Sequence, residues 1–143
     1  MQPIQLAMSP CWVLSCDGTL RAGFPSPAED HACAALNLTK RLVRNELSTY
    51  YFRVAGDSMR DAGIYDGSCV LVDRAEQPVH GRVVVASVNQ SDFTLKFLYR
   101  KNGQVRLEAA NPAYLPIIPK EGTTISIWGV ASHTILALPG FSI

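Results

Sequence analysis

Two residues of this chain could together perform nucleophilic chemistry. Ser58 stands in the run Gly56-Asp57-Ser58-Met59, and Lys96 stands 38 positions later inside an otherwise apolar stretch, Phe93-Thr94-Leu95-Lys96-Phe97-Leu98-Tyr99. A lysine that loses its water shell loses its charge, because burial disfavours the ammonium form. Its neutral amine can take the proton of a serine hydroxyl and leave a nucleophilic oxygen. A short helical turn beginning at the serine would point backbone N–H groups at the hydroxyl and at any carbonyl it attacks. A third pair supplies an object for such an attack. Ala22-Gly23 lies in a stretch bracketed by prolines, and its small residues fit a narrow cleft.

Each residue also has a plainer reading. Ser58 could cap a helical turn. Lys96 could extend from an edge strand with its ammonium in water. Against the second stands the alternation of the strand. One face carries Phe93, Leu95, Phe97 and Tyr99, and the other carries Thr94, Lys96 and Leu98. A strand apolar on both faces is covered on both. The three histidines, His31, His80 and His133, show no spacing that argues for a Ser-His-Asp arrangement. Asp57, Asp61 and Asp66 read as turn and cap residues rather than metal ligands.

The elements that must hold these residues follow from the pattern. Residues 1–27 lack a sustained period and hold Pro3, Pro10, Gly18, Gly23, Pro25 and Pro27, which reads as an extended arm with a short strand near residues 11–14. Ser26-Pro27-Ala28-Glu29 reads as a helix start with a capping box, running to about Leu36. A second helical stretch is expected over residues 39–44, with Lys40, Arg41 and Arg44 on a solvated face. From Thr49 the pattern turns to strands: 50–55, 68–73, 82–88, 92–99, 104–109 and 124–137, the last broken in two. Gln90-Ser91 and Asn102-Gly103 sit at hairpin spacing. The expected organisation is an arm (1–27), a helical connector (28–48) and a compact, mostly-β domain of bent antiparallel strands (49–143).

Composition narrows the function classes. The 143 residues are 48% hydrophobic and 17% charged, which is globular composition. A net charge of +1 gives no electrostatic case for tight nucleic-acid binding. The first basic residue is Arg21, so the charged start of a signal peptide is missing, and no apolar run approaches the ~20 residues of a spanning helix. A cytoplasmic protein is expected, with Cys11, Cys16, Cys33 and Cys69 as reduced thiols. Cys11 and Cys16 lack a second pair at zinc-ligand spacing, so neither metal nor cofactor is expected.

The same residues carry a resemblance. Gly23-Phe24-Pro25-Ser26-Pro27-Ala28, Gly56-Asp57-Ser58-Met59, the run Gly67 to Asp73, His80-Gly81, Phe93-Thr94-Leu95-Lys96, Asn111-Pro112-Ala113-Tyr114-Leu115-Pro116-Ile117 and Gly129-Val130 resemble the LexA/UmuD family of self-cleaving Ser–Lys proteins. The short arm and the Gly-Phe-Pro-Ser-Pro-Ala segment are similar to its UmuD-like branch rather than to LexA repressors, which need a DNA-binding domain ahead of the cut. The resemblance implies a compact β fold, a homodimer, Ser58 as nucleophile, Lys96 as general base and Ala22-Gly23 as the scissile bond. It also implies an oxyanion site at the N–H groups of Asp57 and Ser58. It further implies cleavage stimulated by a RecA filament on single-stranded DNA. The shortened dimer would then serve a UmuC-like Y-family polymerase in translesion synthesis during the SOS response. The alanine before the cut is the LexA residue, and the arm before Ala22 matches the family poorly. Two other readings compete: a non-catalytic dimeric accessory module for such a polymerase, and a membrane signal peptidase with the same Ser/Lys logic.

Overall fold

The structure is a computed structural model that describes residues 9–16, 20, 22–23 and 33–143. The chain divides into two units, one ending at Glu46 and one beginning at Leu47.

In the first unit β1 (Trp12–Cys16) pairs antiparallel with β2 (Cys33–Asn37), and α1 (Leu38–Leu42) follows directly. Asn37 ends the strand and starts the helix, its side chain accepting from the N–H of Lys40 at 3.1 Å. The C=O of Cys11 accepts from the N–H of Leu38 at 2.7 Å. The helix expected to run to Leu36 is therefore a strand over its last part, and its start at Ser26 to Glu29 lies outside the described residues. Pairing with β1 overrides the weak helix preference of Cys-Ala-Ala-Leu. The expectation of four reduced thiols is corrected with it. Register places Cys16 opposite Cys33, their Cα atoms 4.1 Å apart, and the two form a disulfide, while Cys11 and Cys69 are free.

The second unit is one six-stranded antiparallel sheet in the order β3-β4-β8-β5-β6-β7. Its strands are β3 (Thr49–Arg53), β4 (Cys69–Asp73), β5 (Val83–Val88), β6 (Phe93–Lys101), β7 (Gln104–Glu108) and β8 (Ile125–Ile135). This is the mostly-β, antiparallel architecture expected. The last strand is not broken. β8 runs through eleven residues, giving its first half to β5 and its second to β4, with Val130 opposite Val84 on one side and Asp73 on the other. Register shifts at Leu71/Val72 and Val85/Ala86 give it one extra residue each time, which bends it in place of a break. Gly129 sits in the bend because a Cβ there would stand 2.7 Å from Val72 Cγ1.

The β6–β7 turn is Asn102-Gly103, both at positive φ (51° and 72°), as its composition foretold. The β5–β6 turn is centred on Asn89-Gln90, one residue earlier than expected, with φ of 52° and 58°. Asn89 also ties this turn to the start of β8, its N–H donating to Thr124 O and its Oδ1 accepting from Thr124 N, both at 2.8 Å. Apolar side chains fill both faces of the sheet. Met59, Ile64, Val70, Val72 and Val85 form one cluster, and Val84, Ala86, Leu98, Leu107 and Val130 form the other. Adjacent residues Val84 and Val85 go to opposite clusters, as strand alternation demands. β6 feeds both, Leu95 and Phe97 packing on the first and Leu98 on the second.

Candidate active site

The serine is held by the path of the chain after β3. Beyond Arg53 the chain still pairs with the approach to β4: Val54 N–H donates to Ser68 O at 2.8 Å, and Gly67 N–H to Val54 O at 2.9 Å. At Gly56 the backbone enters φ +90°, a conformation that favours glycine, and its N–H donates to Asp66 Oδ1 at 2.7 Å. Met59 then turns inward to 2% exposure, against Ile64, Val70, Val72 and Val85. A short 3-10 turn, Arg60–Ala62, begins only after it and closes on Gly63 at φ +76°. The helical turn thus starts two residues later than the serine, and Ser58 makes no cap bond there.

A second segment grips the same loop. Ala110 N–H donates to Ser58 O at 2.8 Å, and Asp61 N–H donates to Ala110 O at 2.8 Å. Asn111, 5% exposed, donates from Nδ2 to Asp57 O at 3.0 Å while its Oδ1 accepts from Ala113 N–H at 3.0 Å. The Tyr114 hydroxyl donates to Asp57 Oδ1 at 2.7 Å, and this bond holds its pKa above the ordinary phenol value. Serine and methionine are therefore fixed from below by packing and from the side by backbone bonds. Among the described residues no acceptor is bonded to the N–H groups of Asp57 or Ser58.

Lys96 reaches this loop from β6. Its residue is 7% exposed, and its strand position faces Val84 of β5. Nζ donates to Ser58 Oγ at 2.9 Å, to Thr94 Oγ1 at 2.8 Å and to Leu95 O at 3.0 Å. All three acceptors are neutral, and no carboxylate forms an ion pair with Lys96 among the described residues. Desolvation by burial holds its pKa below the ordinary lysine value. The arithmetic of donors matters. An ammonium has three N–H groups for three oxygens. The neutral amine keeps two, enough for Thr94 and Leu95, and its lone pair is then free to face Ser58 Oγ.

A cleft of about 250 Å³ opens beside the serine, between the run Phe52 to Gly56 on one side and Phe93, Thr94 and Leu95 on the other. Ala22 and Gly23 are exposed and belong to the first unit, Ser58 and Lys96 to the second. Of the histidines, His80 accepts from Arg100 N–H and packs on Tyr99, His133 bonds Ser132, and neither bonds Ser58 or Lys96. His31 lies outside the described residues. Thr94 and Tyr114 entered only as members of longer segments, and Asn111 only as half of a turn signal and part of the resemblance. Asn111-Pro112 announced a turn, and nothing in composition announced that the turn would clamp a serine loop 54 residues earlier.

The family described as peptidase S24-like matches residues 15–132. The chain is 35% identical to Protein MucA of Salmonella typhimurium over 120 residues, covering 84% of this chain and 82% of that protein. It is 36% identical over 116 residues to Protein ImpA of Shigella flexneri, covering 80% and 77%. It is 38% identical over 114 residues to Protein SamA of Salmonella typhimurium strain LT2, covering 80% and 78%. With a mostly-β sheet, a buried lysine bonded to a loop serine, and a family match over most of its length, the chain belongs to the peptidase S24-like family, among its UmuD-like members.

Proposed function

We propose that this protein cuts its own chain between Ala22 and Gly23, with Ser58 as nucleophile and Lys96 as general base. The observation that carries the reading is the 2.9 Å contact of Lys96 Nζ with Ser58 Oγ, made by a buried lysine with no carboxylate partner among the described residues. The neutral amine takes the Ser58 proton as Oγ attacks the Ala22 carbonyl. The N–H groups of Asp57 and Ser58 hold the oxyanion. The proton on Lys96 passes to the departing amine of Gly23. Water, deprotonated by Lys96, then releases the Ala22 carboxylate and restores Ser58. No metal or cofactor enters this scheme.

Resemblance to UmuD-like proteins extends the proposal. A RecA filament on single-stranded DNA stimulates the cut by favouring the arm docked at the cleft, without adding groups to the chemistry. The shortened protein, as a homodimer, serves as a subunit of an error-prone, UmuC-like Y-family polymerase in the cytoplasm. Among the described residues no helix is long and apolar enough to cross a membrane.

The test is the intact mass of the purified protein after incubation with RecA, single-stranded DNA and a nucleotide. Loss of residues 1–22 from wild type, read after reduction, with Ser58→Ala and Lys96→Ala uncut, is the expected result. An uncut wild type, even at high pH, favours the accessory-module reading instead.

A further inference from the structure

The disulfide Cys16–Cys33 has a sequence separation of 17, and the Ala22-Gly23 bond lies inside the loop it closes. We propose that this disulfide is a redox tether, so that the arm leaves only after two events, hydrolysis of Ala22-Gly23 and reduction of Cys16–Cys33. The inference rests on the self-cleavage reading above, and adds to it a second, chemically independent requirement.

After hydrolysis, β1 with Cys16 belongs to the arm fragment and β2 with Cys33 belongs to the body fragment. Without the disulfide, what joins them among the described residues is a five-residue antiparallel ladder from Trp12↔Asn37 to Cys16↔Cys33, extended by the bonds of Cys11 to Leu38 N–H and Thr39 Oγ1. Every residue of β1 is exposed, Trp12 at 61% and Leu14 at 75%, so little buried apolar area holds the strand. A two-stranded ribbon is at best marginally stable by itself. The reduced, cut protein therefore sheds its arm, and the oxidised, cut protein cannot.

The redox step balances with a named reductant class. A thiolate of a thioredoxin-type dithiol attacks one sulfur of Cys16–Cys33 and forms a mixed disulfide, and its second thiol resolves it. Two electrons and two protons pass to Cys16 and Cys33, and the dithiol becomes a disulfide. Hydrolysis itself consumes one water and no electrons, so the two events can occur in either order. In a reducing cytosol the tether is open and cleavage frees the arm at once. Under oxidative stress the cut chain keeps its arm until thiol reduction returns. Cys11 and Cys69 do not compete for the pairing in this structure, where both are free.

The experiment compares air-oxidised wild type, dithiothreitol-treated wild type and Cys16→Ser, each allowed to cleave itself and then read by intact mass under denaturing, non-reducing conditions. A parallel chain carries a sequence-specific endoprotease site inserted between Ala22 and Gly23, and is cut by that protease. Before cleavage, thiol titration of the oxidised wild type should find two free thiols and that of the reduced protein four, matching Cys11 and Cys69 alone or all four cysteines. After cleavage, the oxidised wild type should remain one species, heavier by one water, with no free arm. Dithiothreitol should release the arm completely, and Cys16→Ser should release it without reductant. Free arm from oxidised wild type in either chain overturns the tether. Tethering in the endoprotease chain without any self-cleavage elsewhere supports the tether and overturns the self-cleavage reading.

Discussion

Replacing Thr94 by valine separates the two duties assigned to Lys96, carrying a proton and presenting a lone pair. Thr94 Oγ1 accepts from Lys96 Nζ at 2.8 Å, and valine keeps the shape while removing that acceptor. In the charged state one buried N–H of the ammonium is then left without an oxygen, at a cost of roughly 1.5–3 kcal/mol for a hydrogen bond to a charged group. That cost falls on the charged form alone, so the midpoint for deprotonation moves further below its wild-type position. In the neutral state the two remaining N–H groups find Leu95 O and Ser58 Oγ, so an N–H rather than the lone pair faces the serine. The plateau rate should drop by about tenfold if that misorientation costs ~1.4 kcal/mol. The assay is RecA-independent self-cleavage followed by intact mass between about pH 6 and about pH 11, with midpoint and plateau fitted separately. Thr94→Ser retains the oxygen and should keep both near wild type. A valine variant with an unmoved or raised midpoint and an undiminished plateau refutes the donor arithmetic at Lys96.

Other perturbations have equally definite signs. Lys96 has its folded pKa lowered by burial, so the unfolded chain binds more protons between that value and the ordinary lysine range. Its contribution to stability is present above the unfolded pKa of about 10.4 and is lost as pH falls through the folded pKa. Lys96→Met should therefore abolish cleavage yet raise the melting temperature by a few degrees at neutral pH, a gain that fades as the pH approaches 10.4 and is read by calorimetry across pH. Gly129→Ala brings a methyl group to 2.7 Å from Val72 Cγ1, with Asp73 O at 3.3 Å, and should destabilise by ~1–3 kcal/mol in a urea titration. Asn111→Ala removes the donor to Asp57 O and should cost ~1–3 kcal/mol of stability, with a larger fractional loss of cleavage than of folded protein at a temperature where the variant remains folded.

The strands of the second unit were legible because each is an apolar run bounded by turn residues, and Asn102-Gly103 left little choice about its hairpin. The proximity of Ser58 and Lys96 was legible as chemistry, from a lysine with no polar face to occupy, and the structure supplies the 2.9 Å contact. What the sequence hid was nonlocal. The ladder between β1 and β2 depends on residues 17 to 25 apart, so Cys33–Asn37 showed only its local helix preference. The disulfide was hidden with it, since thiol pairing follows register and not spacing. The bends of β8 arise where it changes partner between β5 and β4, and a single strand carries no mark of how its neighbours divide it. Thr94 read as strand filler because its oxygen matters only once a lysine nitrogen has been placed beside it.

As proposed, Lys96 is a neutral base held against Ser58. The most direct measurement is an NMR titration of the side-chain Cε and Nζ signals of Lys96 in lysine-labelled protein, with Ser58→Ala used to keep the chain whole. A midpoint for Lys96 well below the ordinary lysine range is the predicted result. A Lys96 that titrates within that range, near 10.4, would contradict it.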